Sequence, residues 1–350
     1  MQFIKPDINV DFLSKKWIAI GLSTILNILA IVSLIVHGGP KMGIDFEGGT
    51  LVVVKFTQPM TADAIRKSLD PVGLGTSTIQ QYGLAEERTF SIRGREADVS
   101  ASDLSLKIKA AIEKGTGKTV EVVGKDSVGP QVGQDLWDKA VASMFYAMIF
   151  MLIYISGRFE LQWVPSLVMS SIILGAVYLL SLFGVPMYAL MAVALVIALV
   201  CFYLFKLRAA MGAIIALMHD VLLTVGFLSV LGKEFNLQIV AALLTIIGYS
   251  VNDTIIVFDR VRENLKKYSR SPLEVVINRS VNETLSRTIL TSGVTLLTVF
   301  ATFFLGGEVL HDFAFCLIIG FVAGTYSSIY IACPFLLFWR GGKRTAEAAA

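Results

Sequence analysis

The chain has 350 residues, 55% of them hydrophobic and 16% charged, against about 25% charged in soluble domains, and its mean hydropathy is +0.70. That balance excludes an ordinary soluble globule and predicts an integral membrane protein. The net charge of +3 is too small and too scattered for a nucleic-acid surface. Cys201, Cys316 and Cys333 lie inside apolar stretches, without the spacing of a disulfide framework or a zinc site.

A first apolar run from Trp17 to Val36 follows Lys15 and Lys16 and matches the about 20 residues a helix needs to cross a bilayer. No small-residue cleavage site follows it, so it reads as an uncleaved first span with the amino terminus, within 1–37, in the cytoplasm. Residues 38–134 break the apolar pattern and predict a water-exposed domain. A strand is expected at Thr50 to Phe56, a helix opened by Thr61 or Asp63, strands near Thr78 to Tyr82 and Thr89 to Arg93, a helix from Ser102 to Lys114, and a strand at Val120 to Val123. This β-α-β-β-α-β order is that of a small α+β, ferredoxin-like domain.

From 135 to 338 the sequence is almost wholly membrane. Beyond the first span, seven more are readable at about 138–156, 164–183, 187–205, 207–231, 236–258, 288–306 and 312–338, giving a polytopic α-helical membrane protein of about eight transmembrane helices. The stretch 259–287 carries the densest basic cluster beside any span and is expected as a cytoplasmic loop by the positive-inside rule. The tail, 339–350, with Arg340, Lys343 and Arg344, then falls on the same side, and the 38–134 domain falls outside, in the periplasm of a Gram-negative cell. The expected location is a bacterial inner membrane with both termini cytoplasmic.

Charges inside spans cost on the order of 3 kcal/mol each on insertion scales, so they mark function or tight pairing. The clearest is Asp253, about six residues from the charged boundary and so roughly 9 Å deep along a helix. Tyr249, Asn252 and Asp253 are expected on one face. Arg287 opens the next, antiparallel span at the same depth. The pair reads equally as a proton carrier with its counter-charge and as a static buried salt bridge. The span opened by Arg287 places Thr288, Thr291, Ser292, Thr295, Thr298 and Thr302 on one face, a hydroxyl stripe that suits either a file of waters or a helix interface. His219 and Asp220 form a second intramembrane polar pair, readable as a relay or as a histidine bonded into the bundle interior. Gly320 and Gly324 form a small-xxx-small packing pair.

The glycine-rich segment 43–50 lacks the lysine of a phosphate loop and the alternating acids of a calcium loop, so its glycines predict a tight turn into the first strand. No arrangement of His, Cys, Asp or Glu suggests a hydrolase or a metal enzyme. No covalent catalysis, metal or cofactor is expected.

Several motifs, in order along nearly the whole chain, resemble the SecD/SecF family of protein-export membrane proteins in its SecF branch, within the resistance-nodulation-division superfamily. They are the turn Gly43-Ile-Asp45-Phe-Glu-Gly48-Gly49-Thr50, Val128 to Gly133, Ala213 to Asp220, Gly248 to Thr254, Asp259 to Asn264, Ser286 to Ser292 and Gly324 to Ser328. The resemblance implies a SecD partner and use of proton flow to assist the SecYEG channel in moving secreted polypeptides after the SecA ATPase has acted. YajC is a further implied partner, and lipid surrounds the whole. It also implies that Asp253, beside Asn252, and Arg287 serve proton passage. Six spans are the family pattern. Here Arg158-Phe-Glu160 is separated from Gly212 by an extra apolar stretch, 164–205, with a turn at Gly184 to Pro186, which reads as an inserted helical hairpin that preserves the orientation of later spans. The competing readings are a proton-driven small-molecule or lipid exporter of the same superfamily and a non-transporting membrane scaffold.

Overall fold

A computed structural model describes residues 8–75, 77–82, 88–94, 101–160, 163–205 and 208–340; Lys343 and Arg344 of the expected tail lie outside them. Helix α1 (Lys16–Val36) leads into a two-residue strand β1 (Lys41–Met42), a single helical turn α2 (Ile44–Glu47) and β2 (Gly49–Phe56). Then come α3 (Ala62–Leu69), β3 (Thr78–Tyr82), β4 (Thr89–Gly94), α4 (Ala101–Thr116) and β5 (Val120–Val128). The last four strands form an antiparallel sheet in the order β3-β4-β2-β5. Alternation on β2 turns Val52, Val54 and Phe56 into a core shared with Ile65 and Leu69 of α3 and Ile108 and Ile112 of α4, the period-2 and period-3.6 patterns meeting on one buried face. Thr61, not Asp63, caps α3, its hydroxyl accepting from the Ala64 N–H at 3.4 Å. Strand β5 runs past the expected end at Val123 because a register shift between Val53 and Val54, opposite Gly124, lets Asp126, Ser127 and Val128 go on pairing with Leu51, Thr50 and Gly49. The irregularity hides the second half from an alternation test.

The rest is helical: α5 (Pro130–Glu160), α6 (Trp163–Ser181), α7 (Met187–Leu204), α8 (Arg208–Val230), a two-residue strand β6 (Glu234–Phe235), α9 (Leu237–Lys267), α10 (Leu273–Leu305) and α11 (Gly307–Ser327). A π-helical turn (Ser328–Ala332) then joins α11 to α12 (Cys333–Arg340). Pro334 accounts for the turn, since it has no N–H to offer the carbonyl four residues back and its ring crowds that carbonyl. Among the described residues six helical segments are long and apolar enough to cross a membrane: Leu13–Val36, Pro130–Arg158, Ala209–Val230, Leu237–Lys267, Leu273–Leu305 and Leu310–Leu337. The chain is a multi-pass membrane protein. In the 164–205 stretch α6 and α7 are apolar helices of 19 and 18 residues, at the short end of the about 17–25 that a crossing takes, and together they form a helical hairpin.

Stretch 259–287 is more ordered than a loop. Helix α9 continues to Lys267 and α10 begins at Leu273. The two extensions are bound side by side: Arg260 donates to Glu283 at 2.6 Å, and the Asn264 amide donates to Ser280 at 3.0 Å and to Glu283 at 2.7 Å. Asp259 accepts from Arg158 of α5 at 2.6 Å. The amino-terminal strap lies on this hairpin, with Asn282 accepting from the Val10 N–H at 2.8 Å, Asn278 from Phe12 at 2.9 Å, and Lys16 paired with Glu274.

Within the bundle α9 sits between α11, α10, α8 and α5. Close approach to α11 rests on Gly320 and Gly324. A Cβ on Gly320 would lie 2.2 Å from Ile246, and one on Gly324 would lie 3.1 Å from Ser250, which is the small-residue packing expected of the pair.

Candidate functional site

Asp253 is fully buried where α9 meets α10 and α11. Its Oδ2 accepts from Ser292 Oγ of α10 at 3.3 Å and from Thr325 Oγ1 of α11 at 3.4 Å, while those two hydroxyls lie 2.9 Å apart. Both contacts to the carboxylate are long. Its Oδ1 is buried with no hydrogen-bond partner among the described residues. A buried carboxylate so thinly satisfied is costly as an anion, and a free oxygen leaves room for a proton. One turn earlier, the Tyr249 hydroxyl is also buried beside Ser292, Thr295 and Thr325 without a hydrogen bond of good geometry among the described residues, its ring 4.2 Å from that of Phe321.

Arg287 lies on the exposed side of α10, near enough for its charge to act on Asp253. Among the described residues the two form no ion pair. Asn252, expected on the face of Asp253, is exposed while Asp253 is buried, because adjacent helical residues diverge by about 100°. The hydroxyl stripe divides in the same way. Thr288 and Ser292 are buried, whereas Thr291 and Thr298 are exposed. Each outer hydroxyl donates to its own helix: Thr291 to the Arg287 carbonyl at 2.9 Å, Thr295 to Thr291 at 2.8 Å, Thr298 to Val294 and Thr302 to Thr298, both at 3.1 Å. Their donors are spent within α10, and their oxygens remain free to accept.

His219 and Asp220 occupy a second polar pocket, on α8. Asp220 is fully buried and accepts from Ser250 Oγ of α9 at 2.5 Å and from Ser327 Oγ of α11 at 2.8 Å; its other oxygen is 2.8 Å from His219 Nδ1. Although adjacent on the helix, the two side chains bend together and meet directly. His219 stacks on Tyr326, whose hydroxyl donates to the Ala19 carbonyl of α1 at 2.8 Å. Ser250, Thr325 and Ser327 escaped the sequence reading. Ser250 carried a signal, standing three residues before Asp253 inside an apolar run, whereas Thr325 and Ser327 lie in a stretch with no charged neighbour to mark them.

The segment 43–50 is a joint rather than a simple turn. Gly43 N–H donates to the Phe235 carbonyl at 2.8 Å, and Asp45 Oδ2 accepts from the Leu237 N–H at 2.9 Å, capping α9 with a negative charge at its amino end. Glu47 pairs with Arg93 of the sheet at 3.0 Å. Gly48 and Gly49 have φ of 74° and 118°, and a Cβ on Gly48 would come within 2.9 Å of Pro130 at the start of α5. Only glycine fits that left-handed, crowded position.

The sequence matches the family described as protein export membrane protein SecD/SecF, C-terminal, over residues 108–188 and 181–342, and the SecD/SecF GG motif over residues 33–60. The chain belongs to the SecD/SecF family. Similar proteins include the protein translocase subunit SecF of Magnetococcus marinus, 40% identical over 100% of this chain and 98% of that one. Another is the protein translocase subunit SecF of Calditerrivibrio nitroreducens, 38% identical over 95% and 94%. Among solved structures, SecDF, a translocon-associated membrane protein from Thermus thermophilus, superposes with a TM-score of 0.71 at 28% identity over 97% of this chain. A SecDF structure in a super-membrane-facing form gives 0.60 at 28% identity over 100% of it. This chain spans only 40% and 41% of those two. The two SecD/SecF matches overlap at 181–188, in the turn between α6 and α7, while the GG-motif match contains the joint at 43–50 that ties the sheet to α9.

Proposed function

We propose that the chain acts as the SecF subunit of the bacterial Sec translocase, working with SecD to turn proton flow into movement of secreted polypeptides through the SecYEG channel, with SecA and YajC in the wider complex. The observation that carries the reading is Asp253, buried at a three-helix junction with one carboxylate oxygen unpartnered and Arg287 nearby but unbonded. A static salt bridge would consume both charges. This arrangement leaves Asp253 free to take up a proton while Arg287, Asn252, Thr291 and Thr298 face outward on α9 and α10. An arginine and hydroxyls on an otherwise apolar helix face suit a protein partner better than lipid, and the greater length of the SecDF chains supports SecD as that partner.

In this reading the bundle lies in the inner membrane with both termini cytoplasmic. The 38–134 domain is periplasmic and ferredoxin-like, supported by its β3-β4-β2-β5 antiparallel order. Hairpin 164–205 enters the membrane as two further crossings, making eight. The joint at Gly43, Asp45, Gly48 and Gly49 carries motion between the outer domain and α9, which holds Asp253. One charge moved through 100 mV supplies about 2.3 kcal/mol, enough to bias two packings of such a joint. Co-purification tests the assembly: the chain should retain SecD in mild detergent and restore export to a strain lacking its own subunit. Restored drug resistance without restored export would instead favour the small-molecule exporter.

A further inference from the structure

The pocket around Asp220 has an electrostatic imbalance that its hydrogen bonds do not remove. Ser250 and Ser327 donate to one carboxylate oxygen, yet the one basic group that touches Asp220 among the described residues is His219. In the apolar parts of the helices packed against α8 the titratable groups are Asp253 and Tyr249 on α9, Cys316 and Tyr326 on α11, Tyr330 in the π turn and Cys333 on α12, while the charged groups of α5, α9 and α11 stand near the helix ends, with Arg158 on Asp259, Arg260 on Glu283 and Asp312 on Lys233. Helix α1 has none between Lys16 and His37. On α5 and α7, Tyr146, Tyr154 and Tyr203 are exposed and Cys201 is buried. A buried carboxylate without lysine or arginine is balanced only by a proton on the pair.

The second observation is on the other side of the imidazole. The His219 side chain is 8% exposed, and its Nε2 is buried without a hydrogen-bond partner among the described residues. Because Nδ1 faces an acceptor, Nδ1 carries the hydrogen of the neutral ring and Nε2 presents a lone pair. We propose that His219 and Asp220 form a second proton-binding site in the bundle, coupled to Asp253 through α9 and α11. A proton taken at Nε2 makes the imidazolium, and passage of the Nδ1 proton to Asp220 Oδ1 leaves a neutral imidazole beside a carboxylic acid; release runs the same steps backward. Coupling follows from shared parts. Ser250 lies one turn before Asp253 on α9, and Ser327 lies two residues after Thr325, which holds Asp253 from α11. Next to Ser327 begins the π turn, where α11 can change register without breaking a regular ladder.

The inference rests on the proposed proton-driven function for the use of this proton, but its test does not. Infrared difference spectra of the full chain in lipid bilayers, taken between about pH 5 and about pH 9, should contain a titrating carboxyl and imidazole feature that disappears in Asp220→Asn and persists in Asp253→Asn. Asparagine can still accept from both serines, so the fold should survive. If that variant does not fold, His219→Gln carries the test by moving the midpoint of the carboxyl feature while far-ultraviolet circular dichroism stays unchanged. Identical difference spectra in wild type and Asp220→Asn, or in wild type and His219→Gln, would overturn the proposal. A spectrum unchanged only by Asp253→Asn would instead overturn the role given to Asp253 and leave this site standing.

Discussion

At Asp253 the chemistry turns on a few tenths of an ångström. Hydroxyl contacts of 3.3 and 3.4 Å hold the carboxylate in place without fixing it as an anion, whereas the 2.5 and 2.8 Å contacts at Asp220 hold much harder. The two residues should therefore respond differently to truncation. Asp220→Ala leaves two buried serine hydroxyls and His219 without their acceptor and should destabilise the protein by about 3 kcal/mol, read as a lower melting temperature in detergent. Asp220→Asn should recover most of that loss. Arg287→Lys keeps the charge but loses the planar fork and should reduce gradient-stimulated export several-fold with no change in melting; unchanged export would remove Arg287 from the mechanism. Asp253 and Arg287 were legible because charge is rare in an apolar run. Their separation was not, since it depends on how α9 and α10 are rotated, which only packing decides.

Among the elements, the joint at 43–50 makes the sharpest claim. Beside the Asn236 N-cap, Asp45 accepts from the first N–H of a helix almost two hundred residues later, so Asp45→Ala should cost about 1 kcal/mol and loosen the outer domain on α9. Faster hydrogen exchange confined to β1, β6 and the first turn of α9 would record it; no change there would mean that the cap is incidental. Sequence periodicity found the sheet strands and the spans because each carries its own pattern. It missed the β1–β6 pairing, Lys41 with Glu234 and Met42 with Phe235, because two residues hold no period. It also took 259–287 for a loop, because charge marks exposure to water and says little about helicity: α9 and α10 run on into water on the strength of the Arg260, Asn264 and Glu283 network.

For the whole molecule, hairpin α6–α7 is the part most separable from the rest. It packs on α5 and α8 through apolar side chains such as Met169, Ile173 and Phe202, opposite Phe145 and Ile149. Once it is removed, lipid can cover those apolar faces at little cost, because no backbone polar group of the remaining helices is left open. Deleting about Val164 to Phe205 should leave SecD co-purification intact; a variant stable in the membrane that fails to bind SecD would place the hairpin in the assembly interface. The central claim, that a proton on Asp253 links the membrane gradient to export, is tested most directly in inverted vesicles holding normal amounts of SecD and this subunit, with a secreted polypeptide as cargo, with and without an imposed proton gradient. With Asp253→Asn the account predicts that the gradient no longer speeds export while basal export and protein level are unchanged; stimulation as large as that of the wild type would contradict it.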